Sequence, residues 1–125
     1  TRKVLKIAKN APLFRSMPRA ALSDLVERSR HVFYDAGDVI VCQGASRNDD
    51  DASVYLVLAG RVRVIQTQQG PTAPPIAELG AGEIFGELAI LETQPRSASV
   101  MTVEPTSCLK VSGPDFLAAL RQSGI

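Results

Sequence analysis

The stretch from Gly82 to Val100 holds the residues best suited to chemistry. It reads Gly-Glu-Ile-Phe-Gly-Glu-Leu-Ala-Ile-Leu-Glu-Thr-Gln-Pro-Arg-Ser-Ala-Ser-Val. Good helix formers follow Gly86, so the sequence predicts a short helix that begins at Gly86–Glu87 and that Pro95 ends. The first N–H groups of a helix lack partners within it, and the helix dipole is positive there. We therefore expect an anion site at this helix start, where Gly86 permits close approach to the backbone.

Two charged side chains suggest which anion would bind. Arg96 follows Gly86 by ten residues, and its planar guanidinium group can hold a phosphate through two parallel hydrogen bonds. A carboxylate such as Glu87 would repel a phosphate, but it can accept a hydrogen bond from a sugar hydroxyl group. Together, Arg96 and Glu87 suggest one ligand that carries both a phosphate and a sugar hydroxyl group. Each residue alone also fits a structural role, Glu87 in a packed turn and Arg96 at a solvated strand end.

Composition excludes several other functions. The 125 residues suit one domain, and 45% apolar with 22% charged residues is ordinary for a globular domain. A net charge of +1 argues against direct nucleic-acid binding, and the longest strongly apolar run, Val54–Ala59, is too short for membrane insertion. The single histidine, His31, makes a His-based metal site or a Ser-His-Asp triad hard to build. A cupin-type enzyme usually needs a cluster of metal-binding histidines, for which one is too few. We expect no catalytic residues and no metal.

The remaining unusual residues favour plain explanations. Cys42 and Cys108 lie in apolar runs, which indicates buried free thiols and a reducing, cytoplasmic setting. The acidic run Asp49–Asp51 lacks the spacing of an EF-hand and is expected to be solvated. Because the chain begins at Thr1 rather than Met, we expect it to be a piece of a longer protein.

Short strands with turn signals every eight to twelve residues make up the middle of the chain. Seven or eight are predicted, among them 32–35, 39–42, 54–59, 61–64, 76–79, 97–103 and 106–111. Val62 and Val64 alternate with arginines and should point inward, and Gly60 should form a tight hairpin between its flanking strands.

Helical periodicity marks both ends of the chain. It predicts a short helix and a turn before Pro18, a helix over 18–30 and a last helix that starts at Ser112–Asp115. The whole pattern predicts an antiparallel sandwich or barrel, jelly-roll-like, with flanking helices.

Residues 85–100 closely resemble the phosphate-binding cassette of cyclic nucleotide-binding domains. These domains are the sensors of catabolite-activator-type regulators, cyclic-nucleotide-dependent kinases and gated channels. The similarity covers about residues 8–121 and includes Leu13–Phe14, Gly37–Ile40, Gly44 and Tyr55–Val62. It implies a mainly β fold, an antiparallel double-stranded β-helix (jelly-roll) barrel with N-terminal helices, a short phosphate-binding helix and a C-terminal helix. The loop 45–53 is longer than the family's usual turn, and the family's base-capping helix is missing.

The resemblance also implies roles for individual residues. Glu87 would accept a hydrogen bond from the ribose 2′-OH, near the N–H of Gly86. Arg96 would neutralise the cyclic phosphate, and the backbone N–H groups of Leu88 and Ala89 would complete the phosphate cradle.

Ligand choice would depend on the residue after the arginine. Many cAMP sites have alanine there and many cGMP sites have threonine; the Ser97 of this chain is intermediate and favours cAMP over cGMP. Ser97 would place its hydroxyl near the phosphate or the purine. The base would stack in the apolar mouth of the barrel, near Val62, Val64 and Ile84.

The domain scheme implied is a single cyclic nucleotide-binding domain over 1–125. It has an N-terminal helical segment at 1–30, a barrel at 31–111 with its cassette at 85–98, and the start of a C-terminal helical segment at 112–125. The implied function is a regulatory sensor, not an enzyme, that binds a cyclic nucleotide and switches a covalently attached effector of unknown type.

One alternative stays open. The domain would then have lost its ligand and would serve as a scaffold or interaction module. The presence of Glu87 and Arg96 argues against that alternative.

Overall fold

The computed structural model describes residues 2–41, 53–65, 77–91 and 98–122. Within these ranges five helices and eight strands follow one another along the chain. In order they are α1 (Arg2–Ala8), α2 (Pro12–Arg15), α3 (Arg19–Arg28), β1 (Arg30–Tyr34), β2 (Val39–Val41), β3 (Ser53–Ala59), β4 (Arg61–Ile65), β5 (Ala77–Gly80), β6 (Ile84–Phe85), α4 (Glu87–Leu91), β7 (Ser99–Thr102), β8 (Thr106–Ser112) and α5 (Gly113–Gln122).

The strands form two four-stranded antiparallel sheets. The strand order is β1-β8-β3-β6 in the first sheet and β2-β7-β4-β5 in the second. All pairings found among the described strands are antiparallel. The predicted jelly-roll with flanking helices is therefore confirmed, and the predicted helix over 18–30 corresponds to α3.

Two buried clusters hold the sheets and helices together. The helix-side core lies where the helices cover the first sheet and consists of Ala8, Ala11, Phe14, Met17, Leu22, Leu25, Val26, Val54, Leu56, Leu58, Ile90, Leu109, Val111, Phe116, Ala119 and Leu120. The inter-sheet core joins the two sheets and consists of Ile40, Val41, Tyr55, Val57, Val62, Phe85, Val100 and Cys108.

Strand β3 contributes to both cores. Val54, Leu56 and Leu58 belong to the helix-side core, whereas Tyr55 and Val57 belong to the inter-sheet core. Since successive side chains of a strand point to opposite faces, both faces of β3 are covered. This explains why its sequence is a continuous apolar run without alternation.

Strand β4 shows the predicted alternation. Val62 is fully buried, whereas Arg61 and Arg63 are exposed. Both arginines reach Glu78 on the neighbouring β5, with Arg63 Nε 3.0 Å from Oε2 and Arg61 Nη1 3.3 Å from Oε1. The hydrogen bond from Arg63, and to a smaller extent the one from Arg61, lowers the pKa of the Glu78 carboxyl group. These exposed pairs contribute little to stability.

The predicted hairpin at Gly60 is wrong. Strand β3 pairs with β6 and β8, whereas β4 pairs with β5 and β7, so the two strands lie in different sheets. Gly60 has φ +99° and lies against the backbone at Pro105–Thr106, where β7 and β8 also pass between the sheets. Gly60 therefore lies where the chain crosses from one sheet to the other. Its positive φ and missing Cβ permit the close approach to the Pro105–Thr106 backbone.

Candidate ligand-binding site

Strand β6 carries the chain into the predicted cassette. Ile84 and Phe85 pair with Leu56 and Tyr55 of β3. The Phe85 ring stacks on the Tyr55 ring with centroids 5.0 Å apart and an angle of 6° between the planes. Both rings are almost completely buried. The residue before Gly86 is thus fixed to the central strand of the fold.

Gly86 converts this strand into the helix α4. Its φ is +88°, a conformation that L side chains rarely adopt, and Glu87 begins the helix directly after it. The predicted helix start at Gly86–Glu87 is confirmed. Glu87 is half-buried, and Ile90 is 2% exposed within the helix-side core. One turn of helix therefore presents Glu87 at its start and anchors itself through Ile90.

The other predicted phosphate ligands divide into two groups. Leu88 and Ala89 lie in the first turn of α4, where backbone N–H groups have no partner within the helix. Arg96 and Ser97 lie outside the described residues, as does the expected end of the helix at Pro95. The role of each residue toward a ligand stays a prediction.

The three apolar residues predicted to receive the base occupy two places. Val62 is part of the inter-sheet core, and the half-buried Val64 packs against it. Ile84 is also half-buried, but it packs against the helix-side core. The structure thus brings the two valines together and directs Ile84 toward the helices.

The turn before β6 contacts the end of α1 and so joins the site to the N-terminal helices. This contact was not predicted from the sequence. The Val57 N–H donates to the Glu83 carbonyl at 2.9 Å, and the Gly82 N–H donates to the Val57 carbonyl at 2.9 Å. Gly82 has φ +88°, and a Cβ there would lie 2.8 Å from the Cβ of Asn10, just after α1. The closely spaced Gly80 and Gly82 indicate a turn, but only the fold shows what it contacts.

Clustered metal ligands and membrane-spanning helices are both absent from the described ranges. Among those residues, no three or more His, Cys, Asp and Glu side chains are grouped so as to hold a metal ion. None of the helices described there combines the length and apolarity needed to cross a membrane. Cys42 and Asp49–Asp51 lie outside the described residues, so neither statement covers them.

Comparison with known proteins gives consistent similarities. The chain is 34% identical over 114 residues to the cyclic AMP receptor protein of Thermus thermophilus, which covers 91% of this chain and 51% of the receptor. It is 29% identical over 111 residues to human cGMP-dependent protein kinase 2, which covers 86% of this chain and 14% of the kinase. The chain thus spans about half of the receptor and a small part of the kinase.

A solved structure shows the same architecture. The regulatory domain of Toxoplasma gondii PKA, solved with cAMP, superposes with a TM-score of 0.83. The superposition covers 94% of this chain and 43% of that one at 23% identity. At that identity the likeness establishes the fold.

A family model identifies the chain more specifically. The model for the cyclic nucleotide-binding domain matches residues 31–123, which is more than half of the chain. Apart from Arg30 at the start of β1, this range contains both sheets, and it includes the Gly86–Glu87 turn. The chain belongs to the cyclic nucleotide-binding domain family.

Proposed function

We propose that this chain is a regulatory sensor that binds cAMP in preference to cGMP and thereby switches an attached effector. The observation that carries the proposal is the positive-φ Gly86 followed directly by a half-buried Glu87 at the start of α4. This is the local structure needed to present backbone N–H groups to a phosphate beside an acceptor for a sugar hydroxyl.

The binding role is divided among four kinds of group. The N–H groups of Leu88 and Ala89 donate to the cyclic phosphate, and Arg96 neutralises its charge. Glu87 accepts a hydrogen bond from the ribose 2′-OH, and Ser97 places its hydroxyl near the phosphate or purine. The relatives support cyclic nucleotide binding in general, since they include a cyclic AMP receptor protein and a cGMP-dependent protein kinase.

The preference for cAMP has two supports. Ser97 is closer in size to the alanine of many cAMP sites than to the threonine frequent in cGMP sites. In addition, the relative matched at 34% identity is named for cyclic AMP. The base then stacks in the mouth of the barrel, with Val62 and Val64 on the inter-sheet side.

Switching would pass through the helix-side core. Ile90 of α4 shares that core with Phe14 of α2, Leu22 of α3 and Phe116 of α5. The rings of Phe14 and Phe116 are 6.0 Å apart, so the N-terminal and C-terminal helices meet there. A ligand that prefers one position of α4 would also favour one packing of Ile90 against these helices.

Isothermal titration calorimetry with cAMP and cGMP tests the binding site. We expect Arg96→Ala to lose about 2–5 kcal/mol of binding free energy, the range for removal of one partner of a buried charge pair. Glu87→Gln should weaken binding less than Glu87→Ala, because glutamine keeps an acceptor. Arg28→Ala is the matched control, since Arg28 is exposed on α3 and pairs with Asp24.

Three results would contradict parts of the proposal. Equal cAMP affinity of the parent chain and Arg96→Ala would remove the phosphate role of that arginine. A thermal-shift assay in which neither nucleotide raises the Tm at about millimolar concentration would favour the scaffold function instead. Unchanged NMR signals of the α1–α3 amides on saturation with cAMP would refute the switching step alone.

A further inference from the structure

The near-zero net charge of this chain conceals a strongly uneven distribution. Residues 1–23 contain six cations and no acidic residue: Arg2, Lys3, Lys6, Lys9, Arg15 and Arg19. The remaining residues carry the other eight of the 14 cations and all 13 acidic residues. The two parts therefore have formal charges of +6 and −5, which sum to +1. The helices α1 and α2 and the first turn of α3 are thus basic, whereas the rest of the chain is acidic in sum.

Part of this surface is concave. A pocket of about 290 Å³ lies between α1 and α3 and is lined by Arg2, Leu5, Lys6, Lys9, Arg19 and Leu22. We call it the α1–α3 basic groove. Its four cationic side chains are exposed, whereas Leu5 is half-buried and Leu22 is 1% exposed. The groove therefore has a small accessible apolar floor at Leu5 and a cationic rim.

The cations of the rim are not neutralised by the described part of the chain. The three ion pairs found there are Arg28–Asp24, Arg61–Glu78 and Arg63–Glu78, and none involves the groove. Among the residues that the structure describes, no acidic side chain lines the groove. Four like charges around one cavity repel one another, so an anionic occupant would relieve that repulsion.

We propose that the α1–α3 basic groove docks an acidic amphipathic segment of a partner protein. Carboxylates of the segment pair with Lys6, Lys9 and Arg19 on the rim, and one apolar side chain rests on the half-buried Leu5. Charge complementarity selects the partner, and the accessible part of Leu5 adds apolar contact that a simple anion cannot make.

A lipid surface and a nucleic acid fit the groove less well. The apolar residues Val4, Leu5 and Ile7 of α1 pack against the helix-side core, so α1 has no free apolar face to insert into a bilayer. The formal charge of −5 on the rest of the chain opposes an extended polyanion. A short peptide segment needs contact only with the residues of the groove.

The inference does not depend on nucleotide binding, because the groove shares no residue with the Gly86–Glu87 site. Its test uses the 125-residue chain and a short fluorescein-labelled peptide of alternating glutamate and leucine pairs. Fluorescence anisotropy measures the Kd, first at about 50 mM and then at about 300 mM NaCl, where screening weakens exposed charge pairs. We expect saturable binding that weakens with salt, and weaker binding of a polyglutamate peptide of equal length.

Matched charge reversals locate the binding site. We expect Lys6→Glu combined with Lys9→Glu to weaken peptide binding by about tenfold or more, since attraction becomes repulsion on the rim. Lys3→Glu combined with Arg15→Glu changes the net charge equally on exposed residues outside the groove and should weaken binding less than about threefold. Arg19→Glu is a second groove variant, and a carboxylate at the start of α3 suits the helix dipole.

Three results would overturn the inference. The first is absence of saturable peptide binding to the parent chain. The second is equal weakening by the groove and control pairs, which would mean attraction by net charge only. The third is a chain that does not bind the peptide but does bind phosphatidylserine vesicles or single-stranded DNA, with the groove variants abolishing that binding.

Discussion

Replacing Gly60 with alanine should destabilise the fold more than the same replacement of Gly37. Both glycines have positive φ, +86° at Gly37 and +99° at Gly60. An alanine in such a conformation costs about 1–2 kcal/mol, and part of this is offset because alanine restricts the unfolded chain. A Cβ on Gly37 would have nothing within 4 Å. Gly37→Ala should therefore cost only about 1 kcal/mol.

Gly60→Ala adds steric conflict to that conformational cost. A Cβ at Gly60 would lie 2.5 Å from Thr106 Oγ1, 2.6 Å from the Pro105 carbonyl oxygen and 2.7 Å from Thr106 Cα. Two of these atoms are backbone and cannot rotate away. Overpacking of this kind costs about 1–3 kcal/mol. The total for Gly60→Ala is then about 2–4 kcal/mol.

Urea unfolding followed by circular dichroism measures both free energies of unfolding, provided that the m-values agree. A double-mutant cycle with Thr106→Ala then tests which atoms cause the conflict. Little rescue is expected, because the backbone contacts remain. Equal destabilisation by Gly37→Ala and Gly60→Ala, or full rescue by Thr106→Ala, would refute the reasoning.

Two further predictions concern buried polar groups. In a Cys42→Ser background, Cys108 should not react with thiol reagents until the chain unfolds, because it is fully buried and desolvation raises its pKa to about 12. The contribution of the neutral Cys108 thiol to the free energy of unfolding is fully present below pH 9. It is lost as the pH rises towards 12, because the unfolded chain releases the thiol proton more readily than the folded chain. In urea unfolding measured over this pH range, Cys108→Ala should therefore show a smaller fall in the free energy of unfolding. Thr102→Val should cost about 1–3 kcal/mol in urea unfolding while Thr102→Ser costs less, because the hydroxyl accepts from the Asp38 N–H at 2.9 Å and donates to the Asp35 carbonyl.

The elements that the sequence predicted well have a local signal. The alternation of valine and arginine in β4 indicated its inward face, and the residues after Gly86 indicated a helix. The error at Gly60 has a physical reason: a glycine between two apolar runs shows that the chain turns, but not whether the second strand pairs with the first. Pairing is decided by contacts such as those of β3 with β8, which are distant in sequence.

Strand β6 escaped prediction for a related reason. Its two residues are too few to show a period, and their strand conformation comes from pairing with Tyr55 and Leu56. The same pairing directs Phe85 into the inter-sheet core and Ile84 against the helix-side core. The sequence could place Ile84 near the site but could not determine its face, since a shift of one residue exchanges the two faces of a strand.

The double role of β3 bears on how a ligand at the Gly86–Glu87 turn could act at a distance. Tyr55 holds Phe85 on one face of β3, while Leu56 and Leu58 support the helices on the other. A strand buried on both faces cannot shift without disturbing both cores, and packed interiors resist such strain. Ile90 is different, because it belongs to a five-residue helix that follows a glycine of positive φ. We therefore expect movement to begin at α4 and to reach the terminal helices by repacking of Ile90, with β3 as the fixed support.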